Sequence, residues 1–165
     1  MKREETVDYN IKIIWHAISR MYNQEASQHD ITTSIGFVLL NIDFEEGTPA
    51  TKIAPLLGLE SRSLTRMLKT MEEKNLIYKK QDPQDKRSVR IFLTEEGKKK
   101  REISAKTVKL FNKKVRESIS GKKLKEFFNV IADIGKVIDK MNTENLQEHK
   151  KKKFTLTKSK HFSTQ

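Results

Sequence analysis

Residues 48–93 read TPATKIAPLLGLESRSLTRMLKTMEEKNLIYKKQDPQDKRSVRIFL. The first half of this stretch predicts two short helices joined by a tight turn at residues 57–60. Gly58 suits that turn because glycine adopts a positive φ without a steric penalty. Ala54, four residues earlier, is small enough for the helices to cross closely, and Leu64, six residues later, is an apolar anchor for the second helix. The spacing predicts a helix-turn-helix.

The second helix, expected over residues 61–75, has two faces of different chemistry. Ser61 is a suitable N-cap for it. The apolar positions recur at steps of three and four and predict a buried stripe of Leu64, Met67, Leu68 and Met71. The outward positions are hydrogen-bond donors or cations, namely Arg62, Ser63, Thr65, Arg66, Lys69 and Thr70. An ordinary solvated helix would carry charges of both signs, whereas almost every outward charge before Glu72 is positive. This chemistry is typical of a recognition helix in the major groove, where arginine binds guanine and Ser or Thr binds a base or phosphate.

A β-hairpin pattern follows the second helix. Residues 76–80 and 89–93 predict two strands, and the polar segment between them contains Asp82-Pro83, which initiates a turn. Between residues 78 and 90 there are five basic residues and two acids. A cationic loop of this kind suits the narrow, electronegative minor groove. The expected DNA contacts of this wing, over residues 79–90, are Lys79, Lys80, Lys86, Arg87 and Arg90.

The run from Thr48 to Gly97 resembles the MarR family of bacterial transcription regulators. The segments LGLESRSLTRMLKTMEEKNLI, DPQDKR and FLTEEG carry the resemblance, which extends over about residues 5–142. It implies that Asp85 supports the wing by an ion pair with Arg87, while Lys86 or Arg87 enters the minor groove. Pro55 departs from the pattern because it removes one backbone hydrogen bond inside the first helix, so a local kink is expected there.

The rest of the chain predicts helices on both sides of the winged helix-turn-helix. The expected fold is mainly α with a small β-hairpin wing, and its parts are N-terminal helices (1–47), the winged helix-turn-helix (48–93), C-terminal dimerisation helices (94–142) and a flexible basic tail (143–165). The individual helices are expected at 7–27, 31–42, 95–119 and 122–141. The outer helices are too apolar on one face for a compact monomer, which predicts a homodimer. A twofold dimer places two recognition helices about 34 Å apart and predicts an inverted-repeat operator.

Composition agrees with a nucleic-acid partner and argues against other classes. The 165 residues carry a formal net charge of +12, which indicates a polyanionic partner. The chain has no cysteine, which excludes disulfides and thiolate metal sites. It shows no signal-peptide core and no apolar run of membrane-spanning length, so a cytoplasmic protein without membrane contact is expected. There is no glycine-rich phosphate loop, nucleophile elbow or paired-histidine zinc motif, so we expect no catalytic residues, no cofactor and no enzyme.

Regulators of this type are commonly switched by a small ligand between the dimer helices and the winged helix-turn-helix. Aromatic side chains on the first two helices either form plain core or line such a cleft for an aromatic or phenolic effector. The candidates are Trp15, His16, Met21, Tyr22, Phe37 and Phe44. Glu25, His29 and Asp30 lie close together at a helix end and could hold a metal, but helix ends attract such residues anyway, and no metal site is expected.

Three functions remain open at this point. The leading interpretation is a ligand-responsive, sequence-specific repressor. The second is a winged helix that binds DNA architecturally, without sequence preference, with help from the basic tail. That tail holds six lysines and one glutamate in residues 146–165. The third is a winged helix that serves as a protein-interaction module, which the outward basic face disfavours.

Overall fold

The structure is a computed structural model that describes the backbone of residues 1–161 and the side chains of residues 1–145. It divides into two compact units, Met1–Asn112 and a second that begins at Lys113. A short 3₁₀ turn at Arg3–Glu5 precedes the first long helix. The further elements are α1 (Val7–Ser27), α2 (Thr33–Leu40), β1 (Thr48–Pro49), α3 (Ala50–Leu56), α4 (Ser61–Glu73), β2 (Ile77–Gln81), β3 (Val89–Leu93), α5 (Glu95–Ser118) and α6 (Gly121–His161).

The predicted helix-turn-helix and hairpin are both present, and the fold class is confirmed. α3 and α4 meet at the predicted turn, where Gly58 has a φ of +61°. α3 includes Pro55 and ends one residue later, so the proline does not interrupt the motif. The predicted cap of α4 is wrong, because Ser61 is already the first helical residue. The N-cap is Glu60, whose side chain makes no capping hydrogen bond.

The sheet has one strand more than the sequence predicted. β3 is central, with β2 and β1 antiparallel on its two sides. Thr48 pairs with Ile91 and Pro49 with Arg90. The sequence pattern predicted helix, and no strand, at the start of residues 48–93. The Thr48 hydroxyl instead donates to the Asn41 carbonyl (3.1 Å) and accepts from the Asp43 amide (2.9 Å). These bonds hold the chain extended before α3 begins.

One hydrophobic core joins α2, α3, α4 and the sheet. Three of the four predicted stripe positions of α4 are buried, and Met67 packs against the core while partly exposed. Burial of a large aliphatic side chain contributes about 1.5–3 kcal/mol, so this shared core fixes the recognition helix to the wing. Its members are Ile31, Ile35, Val38, Leu39, Ile42, Ile53, Ala54, Leu64, Leu68, Met71, Leu76, Ile77, Ile91 and Leu93.

For the outer helices, the first residues agree better with the sequence prediction than the last residues do. α1 has the predicted bounds, and α2 begins after Thr32, whose hydroxyl accepts from the Ile35 amide (3.2 Å). The flexibility of residues 143–165 stays a prediction, and residues 162–165 lie outside the described part. α6 itself continues to His161, beyond the predicted end at residue 141. The physical reason is that residues 136–161 contain neither glycine nor proline to end the helix. None of the helices in residues 1–161 is long and apolar enough to cross a membrane.

Candidate nucleic-acid interface

The outward face of α4 is exposed and cationic. Arg62, Ser63, Arg66 and Lys69 are all exposed, and we call these four residues the basic face. Within residues 1–145, neither arginine of this face has a carboxylate within 4.0 Å, whereas Lys69 lies 3.9 Å from Glu73. Both side chains of that pair are well exposed, so it contributes little. The two guanidinium groups therefore point into solvent with their charge uncompensated by a nearby acid.

The threonines of α4 have more restricted hydrogen bonding than the sequence suggested. The Thr65 hydroxyl donates to the Ser61 carbonyl (2.9 Å), and the Thr70 hydroxyl donates to the Arg66 carbonyl (3.3 Å). Their protons are thus used inside the helix, and their oxygens remain as acceptors. Thr65 remains exposed, so a base amino group is a better partner for it than a phosphate oxygen, which cannot donate.

The wing tip, residues 82–88, is held by Asp82. Its Oδ1 accepts from the Gln84 amide (2.9 Å), as the predicted turn requires, and its Oδ2 accepts from Arg90 Nε (2.9 Å). The Asp82 side chain is 7% exposed and that of Arg90 is 19% exposed. The Gln84 amide, and next the Arg90 guanidinium, lower the pKa of Asp82 against the opposing effect of desolvation. Asp82 is therefore a buried anion at the root of the wing.

Two wing residues make contacts that the sequence did not predict. The Arg90 guanidinium binds Asp82 and also donates to the Glu46 carbonyl (3.0 Å), so it stabilises the wing from within, while its predicted phosphate contact stays a prediction. Asp85 was expected to form an ion pair with Arg87. Its Oδ1 instead accepts from the Arg87 backbone amide (3.0 Å), and no Asp85–Arg87 ion pair occurs within residues 1–145. Asp85 thus shapes the tip and leaves the Arg87 side chain exposed.

The remaining predicted contacts divide into two groups. Lys86 and Arg87 are exposed at the wing tip, where Gln81 Nε2 donates to the Lys86 carbonyl (2.8 Å). Lys79 forms an ion pair with Glu72 (2.6 Å), which joins β2 to the end of α4. Lys80 lies over the stacked rings of Tyr78 and Phe92, 5.3 Å from each centroid. Among the side chains of residues 1–145, the tip cations thus have no carboxylate within 4.0 Å, whereas Lys79 already has an acidic partner.

Asp82 and Glu72 are the residues that sequence reasoning missed. Asp82 was interpreted only as a turn former and Glu72 only as the end of a basic face. The hairpin register contained a usable signal, because Lys80 pairs with Arg90 and Asp82, two residues further on the same face, is a diagonal neighbour of Arg90. No comparable signal linked Glu72 to Lys79, since that contact depends on how α4 packs on the sheet.

Asp82 gives a prediction about acid stability. Because folding lowers its pKa, the carboxylate stabilises the fold at pH values above its unfolded pKa of about 4, and this contribution is lost as pH falls through the lower folded pKa. A carboxyl NMR titration should give Asp82 a midpoint below that of an ordinary aspartate. Arg90→Gln should raise this midpoint without restoring the ordinary value, because the Gln84 amide remains. A wild-type midpoint at or above the ordinary value would contradict the assignment.

A cleft lies between α1, α2 and the turn that joins α3 to α4. Its volume is about 370 Å³. Trp15 and Phe37 stack with ring centroids 5.9 Å apart on one side, and three leucines from the turn region form the other. Asn41 uses its Nδ2 to donate to the Phe37 carbonyl (2.9 Å), which leaves Oδ1 as the acceptor for a ligand. The lining residues are Trp15, Ser34, Phe37, Asn41, Leu56, Leu57 and Leu59, none of them charged.

The other effector candidates lie elsewhere. Tyr22 is buried edge-on against Phe37 and Phe111, where burial raises its pKa, and it lines a separate cavity of only about 30 Å³. His16 is exposed on α1 and does not line the cleft. The Phe44 ring lies against Arg101. The structure therefore brings Trp15 and Phe37 together and leaves the other candidates outside the cleft.

The helix-end acids and histidine do not converge on a common point. His29 Nε2 lies 4.0 Å from Glu25 Oε1, and Asp30 has a φ of +56° in the turn after α1. Over the part of the chain that the structure describes, no three such side chains form a possible metal site.

Comparison with known proteins agrees with this geometry. Residues 31–89 match the sequence model of the MarR family. The chain is 36% identical over 83 residues to the HTH-type transcriptional regulator TtmR of Methylorubrum extorquens, and 31% identical over 96 residues to SarZ of Staphylococcus aureus. These matches cover 50% and 58% of this chain, and 43% and 65% of the respective relatives.

The fold is also that of a solved protein bound to DNA. A Staphylococcus aureus MepR–DNA complex superposes with a TM-score of 0.72 at 24% identity, over 78% of this chain and 96% of that one. At this identity the likeness concerns the fold alone. The sequence match, however, includes the turn, the recognition helix and the wing tip described above. Over residues 31–89 the chain is therefore similar in sequence to the MarR family of regulators.

Proposed function

We propose that this protein is a dimeric, sequence-specific DNA-binding transcription regulator that represses promoters carrying an inverted-repeat operator. The observation that carries the proposal is the combination of two α4 arginines, which have no carboxylate of residues 1–145 within 4.0 Å, with an exposed cationic wing tip in one packed lobe. A rigid lobe with two cationic projections suits simultaneous contact with a major groove and the neighbouring minor groove.

The roles of the side chains follow from their surroundings. Arg62 and Arg66 would bind base edges in the major groove, with Ser63 and Thr65 beside them and Lys69 on a phosphate. Lys86 and Arg87 would enter the minor groove, where narrow A·T-rich segments attract cations. Lys80 would contact a phosphate. Lys79 already forms an ion pair with Glu72, so its attraction to a phosphate would be weaker. Arg90 would act indirectly by holding the wing.

The dimer is proposed from two unpartnered apolar faces. On α1, Val7, Ile11 and Ile14 are each more than two-fifths exposed. On α6, considered by itself, a longer series of large apolar side chains is also exposed, comprising Phe127, Phe128, Val130, Ile131, Val137, Ile138 and Met141. Such faces are unfavourable in water, and a second copy of the chain would cover them. Twofold symmetry then requires two half-sites about one helical turn apart.

Selection of bound sequences from random duplexes tests function, symmetry and spacing together. We expect a palindrome with half-sites about 10 base pairs apart, centre to centre. Enrichment of single half-sites would contradict the dimer. Salt-dependent binding without any enriched sequence would favour architectural DNA binding without sequence preference. The lysine-rich residues 146–165 are consistent with that alternative. Absence of DNA binding would favour a protein-interaction module.

We also propose that a small aromatic or phenolic effector binds the cleft and shifts the dimer between DNA-binding and non-binding arrangements. An occupant would contact α1 and α2 on one side and the turn that carries α4 on the other. Because the lining residues are all uncharged, an anionic carboxylate would lose its hydration without gaining a cationic partner. A neutral planar ring with one hydroxyl, placed to donate to Asn41 Oδ1, is the better fit.

A thermal-shift series checks the effector class. Simple neutral phenols should raise the melting temperature and release bound DNA, whereas the corresponding aromatic carboxylates should do so at least about tenfold less effectively, as expected for an unpaired charge. Trp15→Ala should abolish the phenol response, and His16→Ala, outside the cleft, should leave it intact. Equal responses to both ligand series would reject the proposed selectivity, and no response to either would reject the effector.

A further inference from the structure

Arg101 on α5 holds an unusual position against the loop that follows α2. Its guanidinium carbon lies 4.0 Å from the centroid of the Phe44 ring. Its Nε is buried and has no hydrogen-bond partner within residues 1–145. A buried, unpaired guanidinium nitrogen is unfavourable, whereas a cation stacked on an aromatic face is favourable. The stacking therefore fixes Arg101 in place although one of its donors is unsatisfied.

Phe44 belongs to a short, internally bonded segment, residues 43–47, which we call the 43–47 loop. Asp43 Oδ1 accepts from the backbone amides of Glu45 (2.9 Å) and Glu46 (2.8 Å). These two amides lower the pKa of Asp43, and the nearby charges of Arg101 and Arg90 lower it further. Gly47 closes the loop with a φ of +64°, a conformation that other residues rarely adopt. The loop is thus one bonded unit between two arginines.

The same loop contacts the wing on its other side. Arg90 Nη1 donates to the carbonyls of Glu46 (3.0 Å) and Gly47 (3.5 Å), while its Nε binds Asp82 at the root of the wing tip. The Asp82 amide in turn donates to the Ser88 carbonyl (3.0 Å) across the tip. A continuous series of contacts therefore runs from α5 through the 43–47 loop to residues 82–88.

We propose that Arg101 is a positioning residue for DNA binding, which sets the orientation of the wing tip through Phe44, the 43–47 loop and Arg90. This inference rests on the proposed function and adds a connection to it. The helix that carries Arg101 is one of those expected to take part in dimerisation. A displacement of α5 would accordingly be transmitted to the minor-groove contact while the recognition helix keeps its own place in the core.

The wing can be monitored without DNA, because trypsin cleaves after Lys86 and Arg87 at the tip. Arg101→Gln removes the cation, and Phe44→Leu removes the ring but keeps an apolar side chain. Lys106→Gln, an exposed position on the same helix, is the charge-matched control. Both test variants should be cleaved at the tip about five- to tenfold faster than the wild type, in proportion to a lost cation–π contact. The control should be cleaved at the wild-type rate.

Footprints on the selected operator supply the second measurement. For Arg101→Gln, hydroxyl-radical protection of the minor groove should weaken, whereas protection of guanine N7 in the major groove should persist. A purely structural defect would weaken both protections and lower the melting temperature. Wild-type cleavage and footprints in both test variants would overturn the inference. If the wild-type protein protects no DNA, the proposed function fails, and the proteolysis comparison still decides whether Arg101 holds the wing.

Discussion

Gly97→Ala is expected to destabilise the fold by about 3 kcal/mol or more, the upper range for inserting a methyl group into packed structure. A Cβ at this position would collide with the carbonyl oxygen of Leu76. That carbonyl accepts from the Thr94 amide (3.1 Å), and the Thr94 hydroxyl accepts from the Gly97 amide (3.0 Å). The backbone therefore cannot move aside without breaking the junction between the sheet and α5. Urea unfolding measures the loss.

Gly121→Ala is the matched control for that experiment. A Cβ at Gly121 would have no heavy atom of the described residues within 4 Å, so the same added methyl group meets open space. Its effect on unfolding should stay within about 0.5 kcal/mol. If Gly97→Ala also cost less than about 1 kcal/mol, the close approach of α5 to the start of β2 would be wrong.

Arg66→Ala should weaken operator binding by about 1–3 kcal/mol, or roughly 5- to 160-fold, and should relax base preference at one position of each half-site. The reason is that Arg66 is exposed on α4 with no carboxylate within 4.0 Å in residues 1–145. Its loss should leave unfolding unchanged within about 0.5 kcal/mol, because exposed side chains contribute little to stability. Fluorescence anisotropy on operator and random duplexes supplies both affinities.

Lys79→Ala is the comparison for Arg66→Ala. Lys79 already has Glu72 as a partner, so its removal should weaken specific and random duplexes alike, and by less than Arg66→Ala does. A substitution that removes a base contact should lower the affinity for the operator more than the affinity for random duplexes. If both variants lost equal affinity for both duplexes, the assignment of base reading to α4 would have to be abandoned.

The elements predicted well from the sequence are those fixed by local patterns. The steps of three and four from Leu64 to Met71 identify the buried side of α4, and a glycine between two short apolar helices identifies the turn. Both signals lie within a few residues of the feature they predict. The wing turn at Asp82-Pro83 is of the same kind, because its hydrogen bond reaches only two residues along the chain.

The features that sequence reasoning missed depend on contacts between distant residues. Arg90 resembles any other basic wing residue until the fold brings the Glu46 carbonyl, 44 positions earlier in the chain, to its guanidinium. β1 is only two residues long and exists because β3 offers a free edge, which no local pattern of Thr48-Pro49 could indicate. Phe44 was grouped with other aromatic residues by type, yet its surroundings are set by a cation 57 positions further along the chain.

Trp15 has a practical consequence that follows from its place in the cleft. It is the only tryptophan in the chain, it is about half exposed, and its indole stacks on Phe37. Indole emission shifts with the polarity of its surroundings, so any occupant that displaces solvent from that ring should produce a blue shift of the whole intrinsic fluorescence spectrum. The intrinsic fluorescence of the unlabelled protein can therefore report the binding of compounds in this cleft.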